Sequence, residues 1–206
     1  MNYFISIAGN IGAGKSSLTY LLAEKLRWKC LLEPWQENLY ITDFYNDMYR
    51  WSFHSQVSFL HLQSRQNLEL LRNDNSLIQE RSIYESRDIF ARNLYQQGYM
   101  TKRDWDLYCN LYEMLTVLLP TPNLIIHLKA SVPTLMKRII QRGLHFDQTI
   151  SSEYLSQLNL LYEKWASEFQ LCPILTIDSD DFDFVHNEDH FDKITTMIVK
   201  RINNIS

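Results

Sequence analysis

Eight consecutive residues near the start of the chain, Gly9-Asn10-Ile11-Gly12-Ala13-Gly14-Lys15-Ser16, satisfy the pattern G-x-x-x-x-G-K-[ST] in full. The chemistry of that pattern is phosphate binding. Loop amides and the N-terminus of the following helix, which Ser17 helps to open, point at phosphate oxygens. Lys15 adds a positive charge near the β and γ oxygens, and the hydroxyl of Ser16 is the expected magnesium ligand. The chain has only five glycines, and three of them, Gly9, Gly12 and Gly14, fall within six positions. Scarce glycine spent in one cluster marks a backbone that must come close to something.

Two carboxylates follow short apolar runs. Glu33 closes one run before Pro34-Trp35, and Glu80 closes another and is followed by Arg81. In open parallel sheets, ligands bind beyond the carboxyl ends of the strands. Both carboxylates should therefore face the region above the glycine loop. Either can accept the proton of an attacking hydroxyl, or bind magnesium directly or through water. Arg81 can pair with either one, or touch a transferred phosphoryl group. Farther on, Arg138 and Arg142 are four apart, on one face of a helix closed by Gly143. Favourable placement at a helix C-terminus accounts for them, and so does an arginine-bearing lid that closes over a γ-phosphate.

The elements that must position these residues are legible as an alternation. Candidate strands cover 3–8, 30–33, 77–80, 124–128 and 174–177. Helical stretches cover 15–26, 51–71, 83–97, 102–118, 132–141, 152–169 and 188–202. Strand-then-helix alternation on this scale implies an α/β fold with a parallel sheet flanked by helices. Pro120 and Pro122 stop one helix, and Pro133 begins the next. The acidic segment 178–183 reads as a surface loop. No repeat or linker divides the 206 residues, so 1–206 reads as a single domain with the lid at about 138–150.

Bulk composition narrows the partners. A net charge of −4 and a pI near 5.9 argue against a general nucleic-acid binder, while leaving room for a small anion held locally. Cys30, Cys109 and Cys172 lack CxxC spacing, so neither a disulfide framework nor a zinc site is expected. No apolar stretch approaches the ~20 residues of a membrane helix. The expected location is cytoplasmic, with no membrane partner.

In order and spacing, several segments together resemble the deoxynucleoside kinase family, which includes deoxycytidine, deoxyguanosine and deoxyadenosine kinases. They are I-x-G-N-I-G-A-G-K-S-S at 7–17, E-P-W at 33–35 and R-W-S-F-x-x-Q at 50–56. They continue with E-R-S-I-Y-x-x-R-x-I-F-A at 80–91, R-I-x-x-R-G at 138–143 and Y-L-x-x-L-N-x-x-Y-x-x-W at 154–165. The bacterial deoxyadenosine and deoxyguanosine kinases are the most similar type. The resemblance implies a three-layer P-loop kinase fold, with a five-stranded parallel sheet in the order 2-3-1-4-5 and a short arginine-bearing lid. It implies ATP and Mg²⁺ as cofactors, a deoxynucleoside as acceptor, phosphorylation of its 5′-hydroxyl, and a homodimer. By the same resemblance Glu33 contacts and deprotonates the 5′-hydroxyl, while Glu80 and Arg81 serve magnesium, the base and the 5′ end. Tyr45 and Asp147 hold the sugar 3′-hydroxyl, Gln56 reads the nucleobase and Phe90 stacks on it.

Helical spacing is compatible with those roles. Gln56 and Gln63 are seven apart on one face, and Ser86 and Phe90 four apart on another. Solvated glutamines and an ordinary core phenylalanine satisfy the same spacing. Three positions depart from the family pattern. Leu144 stands where a second lid arginine is common, with His145 and Lys137 the nearby candidates to replace its charge. Asp147 is shorter than the usual glutamate. Ser86 and Gln63 stand where relatives carry aspartate and arginine, which leaves base choice open with purines favoured. Two alternatives compete with a catalytic reading, namely a non-catalytic kinase-like subunit and a kinase for another small acceptor such as a nucleoside monophosphate. The intact reactive set argues against the first, and E-P-W with E-R-S against the second.

Overall fold

The computed structural model describes residues 2–70 and 75–205. Five strands form its sheet: β1 (Phe4–Gly9), β2 (Lys29–Leu31), β3 (Leu77–Glu80), β4 (Leu124–Lys129) and β5 (Ile174–Asp178). Every pairing is parallel and the order is β2-β3-β1-β4-β5, as the family resemblance implies. β1, β3 and β4 read as continuous buried runs rather than as alternating ones. That is the pattern of a sheet covered by helices on both faces. β1 lies in the middle, and the chain moves to β3 on one side of it and β4 on the other. The crevice at the carboxyl end of β1 is therefore the expected ligand site.

The helices are α1 (Lys15–Leu26), α2 (Ile41–Asn46), α3 (Met48–Leu70), α4 (Ile83–Glu85), α5 (Arg92–Gln96), α6 (Lys102–Thr116), α7 (Val132–Arg142), α8 (Ser152–Glu168) and α9 (Glu188–Asn203). Between α4 and α5 the backbone runs as a π-helix over Ser86–Ala91. The widened turn turns Ser86 and Phe90 toward the crevice while Ile89 stays fully buried. Local chemistry explains the boundaries. Ser82 and Glu85 form a capping box on α4, and Thr101 and Asp104 form one on α6. Gly143, at φ 66°, ends α7, whose first turn carries a proline.

Several expectations shift. β2 stops at Leu31, because this edge strand pairs only with β3, so Glu33 sits on the loop beyond it. α2 has no counterpart in the sequence reading; six residues burying only Phe44 leave too short a periodic signal. α3 begins at Met48, three residues earlier than expected, while the expected end at Leu71 lies outside the described residues. The acidic segment after β5 is the expected surface loop, with Asp178, Asp180, Asp181 and Asp183 exposed, but it is anchored at one point. Ser179 is fully buried, and Phe184 just beyond it packs against Gly14.

One hydrophobic cluster runs from Ile5 to Ile202 and joins both faces of the sheet. Leu22 on α1 is fully buried within it. Leu22→Ala should destabilise the chain by about 2–5 kcal/mol. For a chain of this size that lowers Tm by roughly 5–15 °C in a thermal melt; a shift within ~1 °C would show that α1 is not anchored as described.

Candidate active site

The glycine loop is shaped by its neighbours. Gly12 has φ +81°, and a Cβ there would lie 2.9 Å from the Leu135 carbonyl oxygen. At Gly14 (φ +96°) a Cβ would meet the Phe184 ring at 2.9 Å. Only glycine fits both the torsion and the space. Gly14 caps α1 with no side-chain hydrogen bond, so no capping side chain competes with an anion for the first-turn amides. Asn10 donates through Nδ2 to Leu155 O and Asn159 Oδ1, at 2.9 and 2.8 Å, and so ties the loop to α8. Lys15 is buried and donates from Nζ to Asn10 O at 2.9 Å. Burial, with help from Arg81, lowers its pKa to about 8.

The two carboxylates meet beside this loop. Ser16 Oγ donates to Glu80 Oε1 at 2.7 Å, and the Glu33 backbone N–H donates to Glu80 Oε2 at 3.2 Å. Arg81 Nε lies 2.7 Å from Glu33 Oε1, with an N–H direction outside hydrogen-bond geometry, so the contact is an ion pair. Both side chains of that pair are largely buried. Burial works against the Arg81 charge, but the facing carboxylate of Glu33, with Glu80 farther off, outweighs it and raises its pKa. Arg81 is held at φ 61°, a left-handed conformation that a non-glycine residue adopts at a cost of about 1–3 kcal/mol. Its backbone N–H donates to Ile7 O at 2.9 Å, and its guanidinium lies 4.0 Å above the Phe90 ring.

A cleft of about 780 Å³ opens over these groups. Its walls include Ile11, Gly12, Gly14, Lys15, Ser16, Ser17, Glu33, Tyr45, Gln56, Glu80, Arg81, Ser86, Phe90, Arg138 and Arg142. Gly9, Asn10, Ala13 and Asp147, also expected at the site, lie behind its surface. Gln63 is buried, and its Oε1 accepts from Ser86 Oγ at 2.7 Å. It therefore orients Ser86, while Gln56 on the same helix lines the cleft. Tyr45 stacks on Phe146 with centroids 4.7 Å apart, and burial pushes its hydroxyl pKa up to about 12.

The arginines of α7 have partners within the chain. Arg138 donates to Ala13 O and Ser179 Oγ through Nη1 and to Ser179 O through Nη2. Arg142 grips Asp147 with two hydrogen bonds, Nε to Oδ2 at 3.1 Å and Nη2 to Oδ1 at 2.5 Å. Lys137 lines the cleft near Leu144, whereas His145 is exposed and off it. The sequence reading missed Phe59, Phe146, Tyr154 and Phe184, which line the cleft, and Glu85 and Tyr162, which brace the loop from behind. Tyr154 and Tyr162 fall inside a motif already singled out, but aromatic spacing on a helix reads equally as core. The arrangement can hold a triphosphate at one end and a flat polar heterocycle at the other, with carboxylates between them.

The lowered pKa of Lys15 has a measurable sign. The folded chain holds that proton less tightly than the unfolded chain, where the value is 10.5. Unfolding therefore takes up a proton between about pH 8 and 10.5, and the folded state gains stability from Lys15 as pH rises through that window. In melts from pH 7.5 to 10, the Tm difference between wild type and Lys15→Met should move in favour of wild type; parallel profiles would contradict the burial of a charged lysine.

Comparison with known proteins agrees with this geometry. A family model described as deoxynucleoside kinase matches residues 5–203. A deoxyadenosine/deoxycytidine kinase of Bacillus subtilis (strain 168) is 35% identical over 203 residues, 98% of this chain and 94% of that protein. A deoxyguanosine kinase of the same organism is 32% identical over 203 residues, with 97% of each chain covered. The solved structure of deoxyadenosine kinase from M. mycoides with bound dATP superposes with a TM-score of 0.81 at 26% identity, covering 95% of this chain and 98% of that one. With the family model spanning nearly the whole sequence and the site assembled within it, this chain belongs to the deoxynucleoside kinase family.

Proposed function

We propose that this enzyme phosphorylates a deoxynucleoside 5′-hydroxyl from ATP with Glu33 as the proton acceptor, and that purine deoxynucleosides are its favoured acceptors. The observation that carries the assignment is the junction at Glu80. That carboxylate touches Ser16 of the phosphate loop and the backbone of Glu33 at once, bringing the base and the triphosphate cradle into one cleft. As the acceptor oxygen bonds to the γ-phosphorus, its proton passes to Glu33 and ADP leaves. The transition state of such transfers is loose in most analyses, so positioning and charge neutralisation dominate over base strength. A carboxylate paired with Arg81 suffices for that task. Lys15 and Arg142 are the cations for the transferred group, and Arg138 lies on the donor side of the cleft.

Ser16 Oγ and Glu80 Oε1, 2.7 Å apart, would hold magnesium, which usually takes one or two protein oxygens and completes its shell with phosphates and water. Among the described residues no group of three or more acidic, histidine or cysteine side chains could hold a metal by itself, which suits an ion that arrives with the nucleotide. A magnesium ion held there would supply charge neutralisation for the bound triphosphate. On the acceptor side, Gln56 supplies an amide for the base edge and Phe90 an aromatic surface, while Tyr45 serves the sugar directly and Asp147, behind the cleft surface, serves it through the Arg142 it holds. The neutral Gln63–Ser86 pair leaves the base pocket without a charged reader. The relatives named above act on deoxyadenosine, deoxycytidine and deoxyguanosine, which supports the purine preference.

The single core supports reading 1–206 as one domain with a lid at about 138–150. Homodimerisation through α6 is supported by Leu107 and Met114, exposed and seven residues apart on one face of the helix. No described helix is long and apolar enough to cross a membrane. The three cysteines are unbridged, and a cytoplasmic setting suits them.

Glu33→Gln should lower kcat by about 10²–10⁴ while ATP affinity changes less than ~3-fold. An unchanged kcat would remove Glu33 from the role of base. Competition among the four common deoxynucleosides and their ribose counterparts should rank the purine deoxynucleosides first in kcat/KM. A ribonucleoside or a pyrimidine at the top would overturn the acceptor assignment.

A further inference from the structure

Glu85 and Tyr162 take no part in the transfer just described, yet they hold the first residue of the phosphate loop by both of its backbone groups. Glu85 is fully buried. Its Oε2 accepts from Ser82 N–H at 2.8 Å and lies 3.2 Å from Ser82 Oγ, while its Oε1 accepts from Gly9 N–H at 3.3 Å. Tyr162 Oη lies 2.8 Å from Glu85 Oε1 and 2.7 Å from Gly9 O. Both distances are those of ordinary O–H···O hydrogen bonds.

A proton count over these three oxygens is decisive. The tyrosine hydroxyl carries one hydrogen, the Gly9 carbonyl none, and an ionised carboxylate none. Two short contacts need two protons. The second can only come from the carboxyl itself. We propose that Glu85 is a neutral carboxylic acid whose Oε1–H donates to Tyr162, which in turn donates to Gly9 O, forming a positioning brace between the phosphate loop and the Arg81–Ser82 segment. The remaining contacts fit: Oε2, as the carbonyl oxygen, accepts from Ser82.

The surroundings support a neutral acid. Burial raises the Glu85 pKa, although Arg81 and Lys15 pull the other way. Those cations have other partners, Arg81 with Glu33 and Lys15 with Asn10 O. Among the described residues Glu85 makes no ion pair. The Tyr162 ring is fixed by His127, stacked at 5.4 Å, and by the edges of Phe90 and Trp165. Neutrality has a functional consequence. An ionised carboxylate behind Gly9 would oppose the triphosphate that the loop amides attract. A protonated one keeps the geometry without the repulsion.

The test compares Glu85→Gln, Glu85→Ala and Tyr162→Phe. Glutamine can donate to Tyr162 and accept from Ser82, giving up only the long 3.3 Å contact with Gly9 N–H, which an amide nitrogen cannot accept. E85Q should therefore keep the KM for ATP within ~3-fold of wild type, whereas E85A and Y162F should raise it ~10-fold or more. The KM for the deoxynucleoside should move less in all three. The infrared difference spectrum, wild type minus E85Q, should contain the C=O stretch of a protonated carboxyl. An E85Q variant as impaired as E85A, or a carboxylate band in place of the acid band, would overturn the proposal. Should E85A fail to fold, E85Q, Y162F and the infrared band decide it alone. The KM arm rests on ATP occupying the loop and the infrared arm does not, so failure of either premise can be told from failure of the other.

Discussion

The contact on which the site depends is the one that Glu80 makes in two directions. One oxygen accepts a hydrogen bond from the Ser16 hydroxyl at the start of α1, and the other accepts from the backbone N–H of Glu33 on the loop after β2. The glycine loop and Glu33 are thus registered against each other through a single carboxylate. Its position is a consequence of sheet register, since Glu80 ends β3 directly beside Ile7 of β1. Two residues farther along β1 the glycine loop begins. Parallel pairing therefore brings the carboxylate and the loop to the same edge of the sheet, with α1 rising beside both.

Such a site gathers several buried charges, and their arrangement follows from the penalty for leaving any of them alone. Breaking a buried ion pair by removing one partner is typically destabilising by about 3–5 kcal/mol. Arg81 is matched by Glu33, Lys15 by a backbone carbonyl with the Glu80 and Glu33 carboxylates nearby, and Asp147 by Arg142. The unfavourable torsion of Arg81 is tolerated because its N–H bonds to β1 and its guanidinium rests on Phe90. The strained residue lies between Glu33 and the glycine loop, so its torsion helps to fix how far apart those two stand.

The outer wall of the cleft is built by tying distant segments to the glycine loop. Arg138 spans Ala13 and Ser179, and Phe184 closes against Gly14. The loop following β5 is thereby part of the donor side. Arg142 is engaged with Asp147, so the end of α7 is joined to the side of the cleft where the sugar is expected.

Much of this was legible in the residues. The loop signature, the alternation of strand and helix, and Glu80 at the end of its strand are local features carried by short spacings, and 77–80 and 15–26 were delimited as observed. Family resemblance supplied the strand order, which no local signal contains. Edges were less legible: β2 lost its last residues because edge pairing depends on a single neighbour, and α2 was too short to show a period. What only the tertiary structure decided is which side chains meet. Gln63 orienting Ser86, Arg138 holding Ala13, and Tyr162 reaching Gly9 join residues 23, 125 and 153 positions apart. Such contacts leave no periodicity and no motif, because a buried glutamate or tyrosine has the same local spacing whatever it touches. They follow from how the helices pack on the sheet, and that packing is a property of the whole chain.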